Sequence, residues 1–129
     1  MLGATREAKE IAKGRGVAAA HLQLIKRYVA ENLGKALPLG SVAARHRITP
    51  RYVQKLFERE GVSFTEFVRD QRLESAHLMM ESPRFAHMNI AEIAYAAGFN
   101  DLSHFNRSFR ARYGATPSDV RNACRSKAR

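Results

Sequence analysis

Apolar residues recur three and four positions apart along most of this chain, a spacing that places them on one face of an α-helix. In the first clear segment, residues 21–36, Leu22, Ile25 and Val29 follow this spacing, and Pro38 prevents the helix from continuing. No stretch alternates apolar and polar residues as a half-buried strand would. The pattern therefore predicts an all-α fold.

Capping signals divide the rest of the chain into further helices. Thr49-Pro50 combines a hydroxyl N-cap with proline at the first helical position, and Ser63 and Asn89 each precede a glutamate by three residues. Either Asn100 or Asp101 caps the helix that follows Gly98, and the last helix begins at Thr116-Pro117. The signals predict about seven helices, over residues 21–36, about 40–45 with Ser41 as a possible cap, 50–60, 63–82, 90–97, 101–112 and 117–124.

One arrangement of residues occurs twice, over residues 41–63 and 92–117. Each copy opens a short helix on an apolar residue followed by alanine, passes through a polar turn, and continues in a helix with two apolar residues four positions apart. These pairs are Val53 and Phe57 in the first copy and Phe105 and Phe109 in the second. A short helix, a turn and a longer helix form the outline of a helix-turn-helix unit. Two such units joined by a long central helix point to DNA.

These elements predict five segments. Residues 1–20 resemble a linker or disordered lead because charged residues alternate with Gly14 and Gly16, and we expect them to join this module to a longer, effector-sensing regulator. The remaining segments are a first helix-turn-helix subdomain (21–62), a linker helix (63–82), a second subdomain (83–124) and a tail (125–129). The central helix would span roughly 27 Å. With helix diameters added, the two units would sit about one DNA turn, ~34 Å, apart.

Charge supports a polyanionic partner. The 129 residues include 22 lysines and arginines against 12 aspartates and glutamates, a net charge of +10. Cys124 is the one cysteine, so no internal disulfide forms, and a reducing compartment is expected. No apolar run approaches the length of a membrane span and no signal peptide is evident, so we expect a cytoplasmic protein.

The sequence offers little chemistry for catalysis. It contains no glycine-rich phosphate loop and no paired-carboxylate pattern, and its five histidines lack cysteine or carboxylate partners at metal-ligand spacing. We therefore expect no enzyme activity, no metal and no cofactor. His104 is better interpreted as a donor that faces a DNA groove, and the phenylalanines as core residues.

The second copy carries the residues of a known family. Residues 39–121 resemble the DNA-binding domain of AraC/XylS-type transcription regulators. The matching positions are Arg72-Leu73-Glu74-Ser75-Ala76, Ile93-Ala94, Gly98-Phe99, Asp101, Ser103, Phe105, Arg107, Phe109, Gly114, Thr116-Pro117 and Arg121. The chain departs from the pattern at His46-Arg47, where many members have glycine in the first turn, and at Val120, where an aromatic residue is common.

The second helix of each unit should enter the major groove, with its apolar side toward the protein. The resemblance places base contacts at exposed positions whose side chains suit guanine and adenine edges. These residues are Arg51, Gln54 and Lys55 in the first unit and Ser103, His104, Asn106 and Arg107 in the second. Helix starts and nearby basic or hydroxyl residues should contact the DNA backbone. The candidates are Arg45, Thr49, Tyr52, Arg59, Asn100, Arg110 and Arg112.

The resemblance also implies an asymmetric DNA site and contact with RNA polymerase. Within this interpretation the chain is either the C-terminal module of a longer regulator, which residues 1–20 favour, or a complete small monomeric activator. As an isolated domain it would be monomeric, and a longer parent protein would be able to form dimers. Two other interpretations stay open. A helical protein-interaction module with an incidental basic surface would discriminate poorly among DNA sequences. A nonspecific architectural DNA binder would insert an apolar wedge into the minor groove, for which Leu102 is the one visible candidate.

Overall fold

A computed structural model describes the backbone of residues 6–127 and the side chains of residues 14–127. The helices are α1 (Arg6–Glu31), α2 (Leu39–Arg45), α3 (Pro50–Glu58), α4 (Phe64–Glu81), α5 (Ile90–Ala96), α6 (Leu102–Tyr113) and α7 (Pro117–Lys127). A single 3₁₀ turn, Pro83–Phe85, lies between α4 and α5, and no strand occurs between residues 6 and 127. The prediction of an all-α fold with about seven helices is confirmed.

The first helix differs from the one that the apolar pattern predicts. α1 has 26 residues and ends at Glu31, whereas the pattern indicated a linker over residues 1–20 and a helix over 21–36. Alanine and long charged residues of high helix propensity fill its first half. Two glycines, each costing about 1 kcal/mol relative to alanine, do not outweigh them. The predicted lead is therefore helical from Arg6, and residues 1–5 lie outside the described part of the chain.

The chain forms two compact units. The first consists of the chain up to Asn32 together with Leu37–Glu66, and the second of Leu33–Ala36 together with the chain from Phe67 onward. The predicted tail over 125–129 begins inside α7, whose helix continues to Lys127. The division into a lead, two subdomains, a linker helix and a tail stays a prediction.

The core of the first unit lies where α1 and α2 pack against α3. Its largest fully buried side chains come from all three helices: Ile25, Val29, Val42, Val53, Leu56 and Phe57. The ring of Phe57 also meets that of Phe64 at the start of α4, edge to face, with 5.7 Å between ring centroids. Full burial of the apolar side of α3 leaves the opposite side of this helix for solvent or a partner.

The second unit is built around aromatic residues of α6. Phe105 and Phe109 are fully buried, and Phe105 contacts Phe99 with 5.0 Å between ring centroids. Buried residues of α4 and α5 complete this core: Leu73, Ala76, Met80, Ile93, Ala94 and Ala97. Met79 and Met88 pack against it, as expected of core-filling methionines. Residues 67–81 of α4 thus form one wall of the second unit.

Side-chain caps begin five helices where the sequence predicts them. Ser63 before α4 and Thr116 before α7 accept from the Glu66 and Asp119 amides at 3.0 and 3.1 Å. Thr49 accepts a hydrogen bond from the Tyr52 amide at 3.1 Å, and Asp101, rather than Asn100, accepts one from the His104 amide at 3.2 Å. Asn89 forms the complete capping box with Glu92 at the start of α5.

The predicted role of Ser41 as the cap of α2 is wrong. α2 begins two residues earlier, at Leu39, and Pro38 is its N-cap without a side-chain hydrogen bond. Pro38 has an extended backbone (φ −64°, ψ 139°) and no side-chain oxygen to accept a capping bond, and its carbonyl accepts from the Val42 amide at 3.1 Å.

The turn between α2 and α3 requires a left-handed residue, and that residue is Arg47. Its φ is 57°, and it is the one non-glycine residue with positive φ among the described residues. The Ile48 amide donates to the Ala43 carbonyl and the Arg47 amide to the Ala44 carbonyl, each at 3.1 Å. This pair of bonds forms a Schellman motif, whose left-handed position is usually glycine.

The corresponding turn between α5 and α6 has the same two bonds. The Phe99 amide donates to the Ala94 carbonyl and the Gly98 amide to the Tyr95 carbonyl, each at 3.0 Å. Gly98, with φ 108°, takes the position that Arg47 takes in the first turn. The two copies seen in the sequence therefore close their turns with the same hydrogen bonds.

Replacing Arg47 with glycine should stabilise the first unit by about 0.5–1 kcal/mol. The left-handed conformation costs a residue with Cβ about 1–2 kcal/mol. The greater conformational freedom of glycine in the unfolded chain cancels part of this stabilisation. Urea unfolding followed by circular dichroism measures the difference. Arg45→Gly is the matched control: it lies in α2 and should destabilise by about 1 kcal/mol. An Arg47→Gly protein no more stable than the wild type would mean that the turn is unstrained.

Candidate nucleic-acid interface

The surface of α3 carries the three predicted base-contact residues of the first unit. Arg51, Gln54 and Lys55 are all exposed, whereas Val53 and Phe57 on the other side of the helix are fully buried. The helix begins at Pro50. The amides of its first turn and the positive end of its dipole therefore lie at the same end of α3 as Arg51. The exposed side of α3 thus carries one amide side chain and two cations, all of which are hydrogen-bond donors.

Tyr52 is placed differently from its exposed neighbours on α3. It is half-buried, and its hydroxyl lies 3.2 Å from Nδ1 of His21 on α1. The two rings also meet edge to face, with 5.5 Å between centroids. This contact fixes the start of α3 against α1, while the part of Tyr52 left exposed stays available to a sugar-phosphate backbone.

Arg45 and His46 lie at the end of α2, next to Tyr28. The Arg45 guanidinium lies 4.6 Å from the centroid of the Tyr28 ring, a cation–π contact, and its side chain is exposed. His46 Nδ1 lies 2.9 Å from the Val42 carbonyl oxygen, so Nδ1 is the protonated nitrogen. These contacts hold Arg45 close to the turn that precedes α3. Thr49 and Arg59, the other predicted backbone contacts of this unit, are exposed at the two ends of α3.

The surface of α6 carries the four predicted base-contact residues of the second unit. Its exposed residues in the first two turns are Ser103, His104, Asn106 and Arg107. The imidazole of His104 meets the Phe99 ring edge to face, with 5.9 Å between centroids, which restrains this side chain. Leu102 is half-buried and packs against the core of the unit, so it does not stand out as an apolar wedge.

The predicted backbone contacts of the second unit differ in their surroundings. Asn100 and Arg110 are exposed. Arg112 is exposed too, but its guanidinium lies 5.5 Å from the centroid of the Tyr113 ring and 3.5 Å from Oδ1 of Asp70 on α4. The hydrogen bond to the Tyr113 hydroxyl raises the pKa of Arg112 above its ordinary value, against partial desolvation and with help from the charge of Asp70.

All seven predicted base-contact residues are therefore exposed, and they are divided between two helices whose opposite sides are buried. Of the seven predicted backbone contacts, all except Tyr52 are exposed. Exposure is what contact with DNA requires, and the contacts themselves stay predictions.

Two arginines of the second unit bind backbone carbonyls of distant segments, and only the tertiary structure shows these contacts. Arg72 on α4 donates from Nε to the Leu33 carbonyl at 3.0 Å and from Nη2 to the Lys35 carbonyl at 2.7 Å. Burial lowers the pKa of Arg72 below its ordinary value. The turn that precedes α2 is thereby fixed to α4.

Arg121 on α7 is buried, with 6% of its surface exposed. Its Nη2 donates to the carbonyls of Phe85 and Ala86 at 3.3 and 3.2 Å, and burial together with the charge of Arg125 lowers its pKa. Arg121 is thus enclosed by the unit, whereas Arg72 is half-buried with two of its guanidinium nitrogens bound to carbonyls. Their match to the family signature was visible in the sequence, but the carbonyls that they bind lie more than 30 positions away.

Among the residues that the structure describes, no group of three or more His, Cys, Asp or Glu side chains is placed to hold a metal ion. No helix described between residues 6 and 127 has the length and apolar character needed to span a membrane.

Comparison with known proteins extends these observations. A family model described as a helix-turn-helix domain matches residues 42–123. The transcriptional activator RhrA of Rhizobium meliloti (strain 1021) is 47% identical to the chain over 98 residues, which are 75% of this chain and 31% of that protein. This chain spans about a third of the length of the curated relatives that it matches.

Two solved structures share the fold. An AraC-type DNA-binding-domain regulator from Chromobacterium violaceum superposes with a TM-score of 0.76 at 20% identity, covering 84% of this chain and 96% of that one. The DNA-binding domain of AdpA, solved in complex with a target DNA, gives a TM-score of 0.73 at 21% identity, covering 82% of this chain and 94% of that one.

Proposed function

The chain belongs to the AraC/XylS family of helix-turn-helix transcription regulators, and from that premise we propose how it binds its operator. It binds double-stranded DNA sequence-specifically, with α3 and α6 in successive major grooves. The observation that carries this proposal is the exposure of all seven predicted base-contact residues on two helices whose opposite sides are buried. The DNA complex of AdpA, which has the same fold, supports it.

The exposed side chains set the chemistry of recognition. Arg51, Lys55 and Arg107 can donate to O6 and N7 of guanine, and Gln54 and Asn106 suit N6 and N7 of adenine. Ser103 and His104 supply further hydrogen-bonding groups, since a hydroxyl and an imidazole each donate and accept. Base preference thus follows from two cations and an amide on α3, and from a cation, an amide and smaller polar groups on α6.

Backbone contacts supply most of the affinity. A chain with a net charge of +10 releases counterions when it neutralises phosphates, which favours binding at low salt. We assign these contacts to residues at or near the ends of α2 or of the two recognition helices, α3 and α6. They are Arg45, Thr49, Tyr52, Arg59, Asn100, Arg110 and Arg112.

The length of the relatives supports a larger context. Because the chain spans about a third of their length, we propose that it acts as the DNA-binding module of a longer, effector-sensing regulator. The resemblance to the family adds RNA polymerase as a partner. We further propose that the isolated domain is monomeric, that the parent protein is able to form dimers, and that the protein works in the cytoplasm.

Selection of random double-stranded DNA against the purified chain, followed by sequencing, tests the proposal. Two enriched blocks about one helical turn apart would support base contacts by both units. A single block would limit base readout to one recognition helix. Enrichment of no sequence, with a steep salt dependence, would replace the proposal with nonspecific DNA binding. No binding at low salt would favour a protein-interaction module.

Replacing Arg107 with alanine should weaken binding to the selected sequence by about 1–3 kcal/mol and relax the preference at one base pair. The reason is the loss of a bidentate donor that one guanine requires. Fluorescence anisotropy with the selected duplex and its single-base variants measures both effects. Arg110→Ala is the matched control, since it removes the same charge from the same helix at a predicted backbone contact. It should weaken all sequences equally, and an equal loss in Arg107→Ala would reassign Arg107 to the backbone.

A further inference from the structure

The second unit has a charged cleft between α4 and α6, at the surface of its hydrophobic core. The cleft is open to solvent and has a volume of about 430 Å³. Its polar lining consists of Arg69, Asp70, His104, Arg107, Ser108 and Arg112. Three guanidinium groups, an imidazole and a hydroxyl face a single carboxylate there, so the net charge of the cleft is positive. A positive cleft at the flank of a recognition helix suits one phosphodiester of a DNA strand.

Asp70 pairs weakly with two of these arginines, its chain neighbour Arg69 on α4 and Arg112 on α6. Its Oδ1 lies 3.5 Å from Nη1 of Arg112 and 3.7 Å from Nε of Arg69. Both distances exceed the usual range of a direct hydrogen bond, which ends at about 3.2 Å. The three side chains are between 30% and 39% exposed, so water competes with each pair. Ion pairs of this length and exposure contribute little stability and can exchange partners.

A second contact keeps Arg112 in the cleft when its carboxylate partner changes. Its guanidinium lies 5.5 Å from the centroid of the Tyr113 ring, a cation–π contact. The Tyr113 ring is in turn packed against Phe109 and His77, with 4.6 Å between centroids in each case. The guanidinium is therefore oriented by the core of the unit, and Asp70 provides only its charged partner.

We propose that this cleft binds a DNA backbone phosphate through Arg69 and Arg112, and that the Asp70 carboxylate occupies the place of that phosphate in the DNA-free protein. On binding, the phosphate displaces the carboxylate and pairs with both guanidinium groups, and the Ser108 hydroxyl lies within the same cleft to donate to it. Arg69, on the linker helix α4, becomes a DNA contact. Asp70 lowers DNA affinity because its two ion pairs must break first. The inference rests on the proposed DNA-binding function.

The first test removes the competing charge. In Asp70→Asn we expect the affinity for the selected duplex to rise about twofold to fivefold, since no ion pair has to break. Glu66→Gln is the matched control, because it removes one negative charge from the same helix one turn earlier and outside the cleft. An Asp70→Asn affinity equal to that of Glu66→Gln, or below that of the wild type, would overturn the proposal.

The second test removes the two arginines. In Arg69→Gln/Arg112→Gln, the slope of log affinity against log salt should become shallower by about 0.9, the loss of one neutralised phosphate, with the selected sequence preference unchanged. Adding Asp70→Asn to this double variant should then give no gain in affinity. The same gain as in the wild-type background would show a general charge effect and refute the competition. Circular dichroism and melting curves confirm that each variant is folded before binding is compared.

Competition with inorganic phosphate tests whether the cleft binds a phosphate of DNA or a free phosphate ion. Replacing chloride with inorganic phosphate at constant ionic strength should leave DNA binding by the wild type unchanged. Specific displacement of DNA that disappears in the double arginine variant would identify a free-anion site and overturn the assignment to DNA. Failure of the proposed function looks different, since the wild-type chain would then select no DNA sequence at all.

Discussion

Replacing Gly98 with alanine should destabilise the second unit by about 3–5 kcal/mol. Two costs combine at this position. With φ 108°, Gly98 has a backbone conformation that residues with Cβ rarely adopt. An added Cβ would also overlap the carbonyl oxygen of Leu33 and lie 2.5 Å from Nε of Arg72. Because Arg72 binds that same carbonyl, the new methyl group cannot be accommodated without breaking this hydrogen bond.

Gly114→Ala is the matched control for the effect at Gly98. Gly114 also has positive φ, 70°, but an added Cβ there would meet no atom within 4 Å. It should cost only the left-handed conformation, about 1–2 kcal/mol. Urea unfolding followed by circular dichroism measures both, and amide hydrogen exchange shows whether the loss is confined to the second unit. Equal losses in the two variants would mean that the close approach of Leu33 and Arg72 contributes nothing.

Replacing Phe105 with alanine should cost roughly 3–5 kcal/mol through the cavity that it leaves in the second unit. The Phe105 ring is fully buried and contacts the rings of Phe99 and Phe109, with 5.0 and 5.6 Å between centroids. These contacts hold α6 to the unit, so the loss should also impair DNA binding by misplacing the recognition helix.

The exposed side of the same helix supplies the comparison for Phe105. Ser103→Ala removes an exposed side chain two positions earlier and should change the free energy of unfolding by less than about 0.5 kcal/mol. Denaturant midpoints from circular dichroism distinguish the two. A Phe105→Ala protein with the wild-type midpoint would mean that the buried side of α6 had been assigned wrongly.

The starts of α3, α5 and α6 could be predicted because local signals fix them. Thr49, Asn89 and Asp101 satisfy amides within the first turn of their own helices, so a few adjacent residues suffice to set each start. Apolar spacing assigned the buried sides of α3 and α6 correctly for the same reason, because a helix places residues three and four apart on one face. The family resemblance, based on these positions, is confirmed by the match over residues 42–123.

Local signals were misleading where propensity and capping compete with the rest of the structure. Gly14 and Gly16 indicated a linker, but both lie within α1. Ser41 was expected to cap α2, but Pro38 does so. The family pattern indicated only that glycine is common at His46-Arg47, and the structure shows that Arg47 takes the left-handed conformation, with φ 57°.

The fold class, the two helix-turn-helix units and the exposed sides of α3 and α6 could all be inferred from the order of residues. The contacts of residues whose partners are distant in the chain became visible only in the packed structure. Arg72 and Arg121 could be counted among the basic residues, but both bind backbone carbonyls more than 30 positions away. Asp70 likewise faces Arg112, 42 positions later in the chain. Helix periodicity and caps act over a few residues, whereas these contacts exist only once the helices have packed.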